Sequence, residues 1–104
     1  MIRNVVMGRL RPAADPAQAA ADAALLQEGL AGVAALKFPG LLAMTVGTDL
    51  GLREGGWSFA ITNDWLDIDS YRVYDLDEQH NRLRREIFGR VCQDIARVQI
   101  SLEG

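Results

Sequence analysis

The sequence is poor in the residues that form disulfide frameworks and metal sites. It contains one cysteine, Cys92, and one histidine, His80. A lone cysteine excludes an intrachain disulfide framework. One histidine, one cysteine and dispersed carboxylates do not supply the convergent ligands of a zinc site. The loop at 51–56 contains three glycines, but it lacks the strand-to-helix context of a phosphate-binding loop. We therefore expect no metal and no cofactor.

Long apolar runs and basic stripes are also missing. No apolar run reaches the roughly 20 residues that a membrane-spanning helix needs, and residues 1–10 lack the basic and apolar regions of a signal peptide. The net charge is −3, and the cations are mostly arginines scattered from Arg3 to Arg97. A nucleic-acid-binding protein would be expected to show a basic stripe. The sequence predicts a cytoplasmic protein with no membrane and no nucleic-acid partner.

What is present is an ordinary globular composition. The chain has 104 residues, of which 49% are apolar and 24% are charged, so one domain over residues 1–104 is the expected organisation. Capping residues predict three helices. Asp15 begins the first, Asp67 begins a short one that reaches Tyr74, and Asp77 begins one that continues to about Ile95. The predicted strands cover residues 2–10, 41–50, 57–65 and 97–103.

The order β-α-β-β-α-α-β is typical of the ferredoxin-like α+β fold, a four-stranded antiparallel sheet with helices on one face. The third strand alternates clearly, with Trp57, Phe59, Ile61 and Trp65 on one face. In the last strand we expect Val98, Ile100 and Leu102 to point inward. The first two strands are apolar on both faces, and a large bare apolar sheet would aggregate. We therefore predict a homodimer through stacked sheets.

Four segments follow one another along the chain: an opening strand at 1–6, a proline-glycine entry into the second strand at 39–47, an aromatic third strand at 57–60, and a Tyr-x5-His segment within 67–80. Together they resemble the Dabb family, the stress-responsive dimeric α/β-barrel proteins. The resemblance implies two subunits whose sheets stack into a barrel, with a cavity between the sheet and the helices of each. It also implies that Tyr74 and His80 take the roles of the tyrosine and histidine in cyclases of the olivetolic acid cyclase kind. The family's first strand often carries a histidine where this chain has Asn4.

Tyr74 and His80 are the candidate catalytic residues. Histidine is the one side chain whose ordinary pKa lies near neutral pH, so His80 could act as a general base while Tyr74 binds the resulting oxyanion. Alternatively, His80 is a half-buried residue that hydrogen-bonds across a helix break, and Tyr74 is a core ring. Arg84 lies one turn after His80. It could meet an acidic group of a ligand, or it could simply cover apolar surface or form an ion pair.

Four further residues are candidates for binding a small hydrophobic or aromatic ligand. Asn4 and Asn63 are amides on apolar strand faces, and a buried amide needs a hydrogen-bond partner. Each could line a cavity or satisfy a neighbouring loop. Phe59 and Trp65 share the face of Asn63 and could form a cavity wall, although the tryptophan is expected mainly to be a packing residue.

Three functional hypotheses remain open. The first is a dimeric ligand-binding or stress-response protein without turnover, and the second is a cofactor-free enzyme of cyclase or isomerase type. The third is a haem-degrading monooxygenase, in which Asn4 and Trp65 would take two of the required roles. In that family, however, the histidine falls near Tyr74 rather than at His80, and the axial ligand is decisive for haem chemistry.

Overall fold

The computed structural model describes residues 1–102 and contains one antiparallel sheet with strand order β2-β3-β1-β4. Helices and strands follow one another in the predicted order, and the fold is ferredoxin-like. The strands are β1 (Ile2–Leu10), β2 (Leu41–Thr48), β3 (Phe59–Trp65) and β4 (Cys92–Ser101). The helices are α1 (Pro16–Ala34), α2 (Ile68–Leu76), α3 (Glu78–Leu83), a π-helical turn (Arg84–Phe88) and α4 (Gly89–Val91).

The predicted N-caps of the three helices are confirmed. The carboxylate of Asp15 accepts a hydrogen bond from the Gln18 amide at 2.8 Å, and the carboxylate of Asp67 accepts one from Ser70 at 2.8 Å. Each bond satisfies a backbone donor that has no partner within the helix. The bond from Ser70 also lowers the pKa of Asp67, because it stabilises the charged carboxylate.

The helices cover one face of the sheet. Leu26, Leu30 and Val33 of α1 form a buried cluster with Phe59 and Ile61 of β3. This face also carries Asn4, which lies opposite Asn63 and Gln99 in the two neighbouring strands. Burial of these apolar side chains is the main stabilisation of the layer, at about 1.5–3 kcal/mol for each fully buried residue.

Close approach between helices depends on Gly29 of α1. A Cβ at this position would lie 2.7 Å from Cγ2 of Ile87 and 3.1 Å from the Phe88 ring. Gly29 therefore permits contact between α1 and the π-helical turn, because α1 packs side by side with that segment.

The second face of the sheet is not covered by the helices. Met7, Val98 and Ile100 are exposed there, since Val98 lies opposite Val5, and Ile100 opposite Arg3, on the face away from Asn4. The prediction that Val98 and Ile100 point inward within one subunit is therefore wrong. Leu102 lies beyond the end of β4, and residue 103 is outside the described residues.

Several element boundaries also differ from the prediction. The last helix ends at Val91 rather than near Ile95, because Cys92 already pairs with Leu10 and begins β4. The third strand begins at Phe59, and Trp57 lies before it with its ring beneath the Arg9 guanidinium, 4.3 Å from the centroid. The second strand ends at Thr48 rather than at residue 50.

Within residues 1–102, no helix combines the length and the hydropathy required to cross a membrane.

Candidate functional site

Tyr74 and His80 lie in direct contact. Their ring centroids are 4.0 Å apart and their planes are inclined by 28°, so the two rings are stacked. Asp77 produces this contact, because it ends α2 and begins α3 with an extended backbone. Its amide donates to the Tyr74 carbonyl at 3.2 Å, and its carboxylate accepts from the His80 amide at 3.0 Å. The chain therefore turns sharply between the helices, and the imidazole is brought back over the phenol.

The phenol of Tyr74 is held in its protonated form. Its side chain is buried against Trp65, with centroids 4.9 Å apart, and against Phe38, at 5.6 Å. Burial raises the pKa of Tyr74 to about 12, because a phenolate is poorly solvated in the core. The hydroxyl accepts a long hydrogen bond of 3.4 Å from Nδ2 of Asn63. At neutral pH the hydroxyl can therefore donate a hydrogen bond to a ligand.

His80 is buried, with 8% of its surface exposed. Burial is the largest cause that lowers its pKa, and the Arg84 cation lowers it further, while the Asp75 carboxylate, the neighbouring Tyr74 carbonyl and the Asp77 carboxylate act in the opposite direction. The imidazole is therefore neutral at pH 7, the state required of a general base. Its Nδ1 atom is buried and has no hydrogen-bond partner among residues 1–102. An unpaired buried polar atom costs about 1–3 kcal/mol.

A cavity of about 40 Å³ opens beside this pair, between the sheet and the helices. Its apolar walls are Val6, Val33, Phe59, Ile61, Phe88 and Ile95, and its polar lining is Asn4, Tyr71, Tyr74, Asp75, His80, Arg84 and Arg97. Pockets that bury drug-sized ligands measure roughly 300–1,000 Å³. The cavity therefore fits a molecule of few heavy atoms.

Five of the seven predicted site residues meet at this cavity: Asn4, Phe59, Tyr74, His80 and Arg84. Asn63 and Trp65 do not line it. The Trp65 side chain is fully buried, and its Nε1 atom donates to Oδ1 of Asn63 at 2.6 Å. These two residues support Tyr74 from within the core. The Asn4 amide oxygen accepts a bond from Nε2 of Gln99 at 3.0 Å.

The sequence analysis missed three polar residues of the cavity: Tyr71, Asp75 and Arg97. Tyr71 and Asp75 lie three residues before and one residue after Tyr74 on α2, so helical periodicity could have indicated Tyr71. Arg97 was missed because the faces of the last strand were exchanged in the prediction. It lies opposite Val6 and shares the helix-covered face with it.

Comparisons with known proteins are consistent with this architecture. No protein-family model matches the chain, and no curated protein does. A dimeric ferredoxin-like protein of unknown function from Thermobifida fusca is 28% identical, with a TM-score of 0.73 over 97% of this chain and 90% of the other. A Dabb family protein with a ferredoxin-like fold from Mesorhizobium loti is 14% identical, with a TM-score of 0.74 over 99% and 97%. A cofactor-independent oxygenase from Streptomyces nogalater is 14% identical, with a TM-score of 0.67 over 99% and 93%.

Fold and comparisons together define the class as a ferredoxin-like α+β domain. Within that class, the resemblance to the Dabb family that the sequence motifs indicated is confirmed at the level of the fold. The protein from Thermobifida fusca has no known function, and the other two likenesses are too distant to show more than a shared fold.

Proposed function

We propose that this protein is a homodimeric, Dabb-like α/β-barrel protein that binds a small organic molecule in the cavity beside His80. The observation that carries the proposal is the stacked Tyr74–His80 pair on a cavity whose lining combines apolar and polar side chains. A ligand with one polar group and a small apolar body would match that lining, and the buried Nδ1 atom of His80 has no partner within the described residues. A stress-response role and a cytoplasmic location are implied by the resemblance and by composition, and they are part of the proposal.

The homodimer is supported by the open face of the sheet. Met7, Val98 and Ile100 expose apolar surface there, and stacking against a second copy would bury it on both subunits. The Thermobifida fusca protein is described as dimeric. Since the cavity lies on the helix-covered face, each subunit would keep its own site.

The single histidine makes ligand binding directly measurable. We expect small organic molecules to shift the Cε1–H NMR signal of His80 in a saturable way, since no other imidazole contributes to that region of the spectrum. Val6→Phe should abolish the shift by filling the cavity. Val73→Phe, an equally large change on the exposed surface of α2, should preserve it. The proposed site would be refuted if the protein is folded and no molecule of a broad panel shifts the His80 signal.

A second candidate function is acid–base catalysis without a cofactor, with His80 as general base and Tyr74 as donor to an oxyanion. The specific observation in its favour is that the imidazole of His80, neutral at pH 7, stacks on the phenol of Tyr74, which stays protonated. The fold also accommodates cofactor-free chemistry elsewhere, in the oxygenase from Streptomyces nogalater.

Proton exchange separates the two functions. If His80 is a base, a bound small ketone should exchange its α-protons with deuterated solvent faster than it does free in solution. His80→Gln should remove the acceleration, and Tyr74→Phe should reduce it by roughly 10²–10³-fold, as for a lost oxyanion donor. Binding with no accelerated exchange for any carbon acid of the panel would identify a binding protein without this chemistry.

A further inference from the structure

We propose that the cavity selects small organic carboxylates, with the anionic group held by Arg84 and Arg97 and the apolar part directed between the sheet and α1. This inference rests on the proposed binding function and names the chemical class of the ligand. Both arginines line the cavity, and both belong to the more exposed part of its lining, so their guanidinium groups are placed where a charged headgroup would remain partly hydrated.

Arg97 occupies an unusual position for a cation. It lies on the helix-covered face of β4, directly opposite Val6, and it follows Ile95 on the same face. Within residues 1–102 its side chain takes part in no hydrogen bond or ion pair, and only its backbone is paired, with Val6. Its guanidinium therefore retains donors for an external anion, and no neighbouring carboxylate neutralises it by direct contact.

Arg84 is held in place by hydrogen bonds that occupy only some of the donors of its guanidinium group. Its Nη1 atom donates to Oδ1 of Asn81 at 2.9 Å and to Oδ1 of Asp75 at 3.5 Å. Asn81 is fixed in turn by a 3.2 Å bond from its Nδ2 atom to the Asp75 carbonyl. The remaining donors of the guanidinium have no partner in the described part of the chain. A planar guanidinium with two free donors on one edge matches a carboxylate in both charge and geometry.

The charges at the cavity favour an anion. Arg84 and Arg97 contribute two cations, Asp75 contributes one carboxylate, and His80 is neutral at pH 7. Arg84 and Arg97 also line one surface groove together with Ile95. Burial and Asp75 raise the pKa of the Tyr71 phenol, whereas Arg84 and Arg97 both lower it. Apolar walls then distinguish an organic acid from a bare inorganic anion, since only the former gains from burial of hydrocarbon.

Isobutyrate and isobutyramide test the inference, because they share one size and shape and differ in charge. Titrations are followed through the His80 Cε1–H signal. We expect isobutyrate to bind at least tenfold more tightly than the amide, and to raise the pH midpoint of His80 because an anion stabilises the imidazolium. Arg97→Gln and Arg84→Gln should each remove most of this preference. Arg82→Gln, which removes an exposed cation of α3 that does not line the cavity, should preserve it.

The outcomes distinguish this inference from the proposed function. Equal affinity for the acid and the amide would overturn carboxylate selection while leaving a neutral-ligand site intact. A preference for isobutyrate that survives both cavity substitutions would likewise overturn the assignment of Arg84 and Arg97. Absence of binding by either compound, and by every other molecule of the panel, would overturn the ligand site itself.

Discussion

Val98→Lys tests whether the open face of the sheet is a subunit interface. Val98 is 51% exposed on that face, and full burial of a valine side chain is worth about 1.5–3 kcal/mol. About half of this surface is exposed in one subunit, so its burial at the interface is worth roughly 1 kcal/mol per copy, and the lysine variant loses that contribution. A two-fold interface contains the substitution twice, so the dimer should lose about 2 kcal/mol, or roughly 30-fold in Kd. Burial of two ammonium groups weakens it further.

Sedimentation velocity over a concentration series measures this dissociation constant. The matched control is Val73→Lys, because Val73 is 58% exposed but lies on α2, in the helical layer. We expect dimers for the wild type and for Val73→Lys, and monomers at the same concentration for Val98→Lys. A monomeric wild type, or equal dissociation constants for the two lysine variants, would refute the stacked-sheet interface.

Three further predictions concern the site and its support. Because the pKa of folded His80 lies below that of the unfolded chain, about 6.5, the unfolded state binds the proton more readily between these values. The free energy of unfolding should therefore fall as the pH drops from about 6.5 to the folded pKa, by at most about 1.4 kcal/mol per pH unit. Urea unfolding at several pH values should show this dependence in the wild type but not in His80→Gln. The same pH dependence in both proteins would contradict it. Asn63→Leu should destabilise the fold by about 1–3 kcal/mol in the same assay, because Nε1 of Trp65 loses its acceptor; an unchanged midpoint would show that the bond contributes nothing. A Cβ in Gly89→Ala would lie 2.9 Å from the Arg84 carbonyl, so the π-helical turn should shift and isobutyrate affinity should fall, whereas unchanged affinity would separate the turn from the site.

The sequence predicted those features of the fold that depend on a single local backbone interaction. Asp67 and Asp77 were recognisable as caps because a carboxylate before a helix accepts a free amide. The end of the last helix was not predictable in this way, since it depends on pairing between Cys92 and Leu10 across the whole chain. The wrong face was predicted for Val98 for a similar reason, because the face depends on how β4 pairs with β1. Strand alternation gives two faces but does not say which one meets the helices, and a one-residue change exchanges them.

The site was predictable where sequence proximity brings residues together. Tyr74 and His80 are six residues apart, and one helix break is enough to stack them. Arg97 reaches the cavity only through the register of β4, which the sequence did not reveal. Asn63 and Trp65 share a strand face with Phe59, but a strand rises about 3.3 Å per residue. Their end of β3 therefore lies beyond the cavity and supports Tyr74 from the core.

A crystal structure of the protein grown with isobutyrate tests the central claim most directly, that the space beside His80 is a ligand site. We predict difference density for one molecule in each subunit between the apolar walls and the two arginines, with a polar atom within hydrogen-bond distance of the imidazole. A cavity closed by side chains, or one that holds only water at saturating isobutyrate with Nδ1 of His80 bonded to the protein, would contradict it.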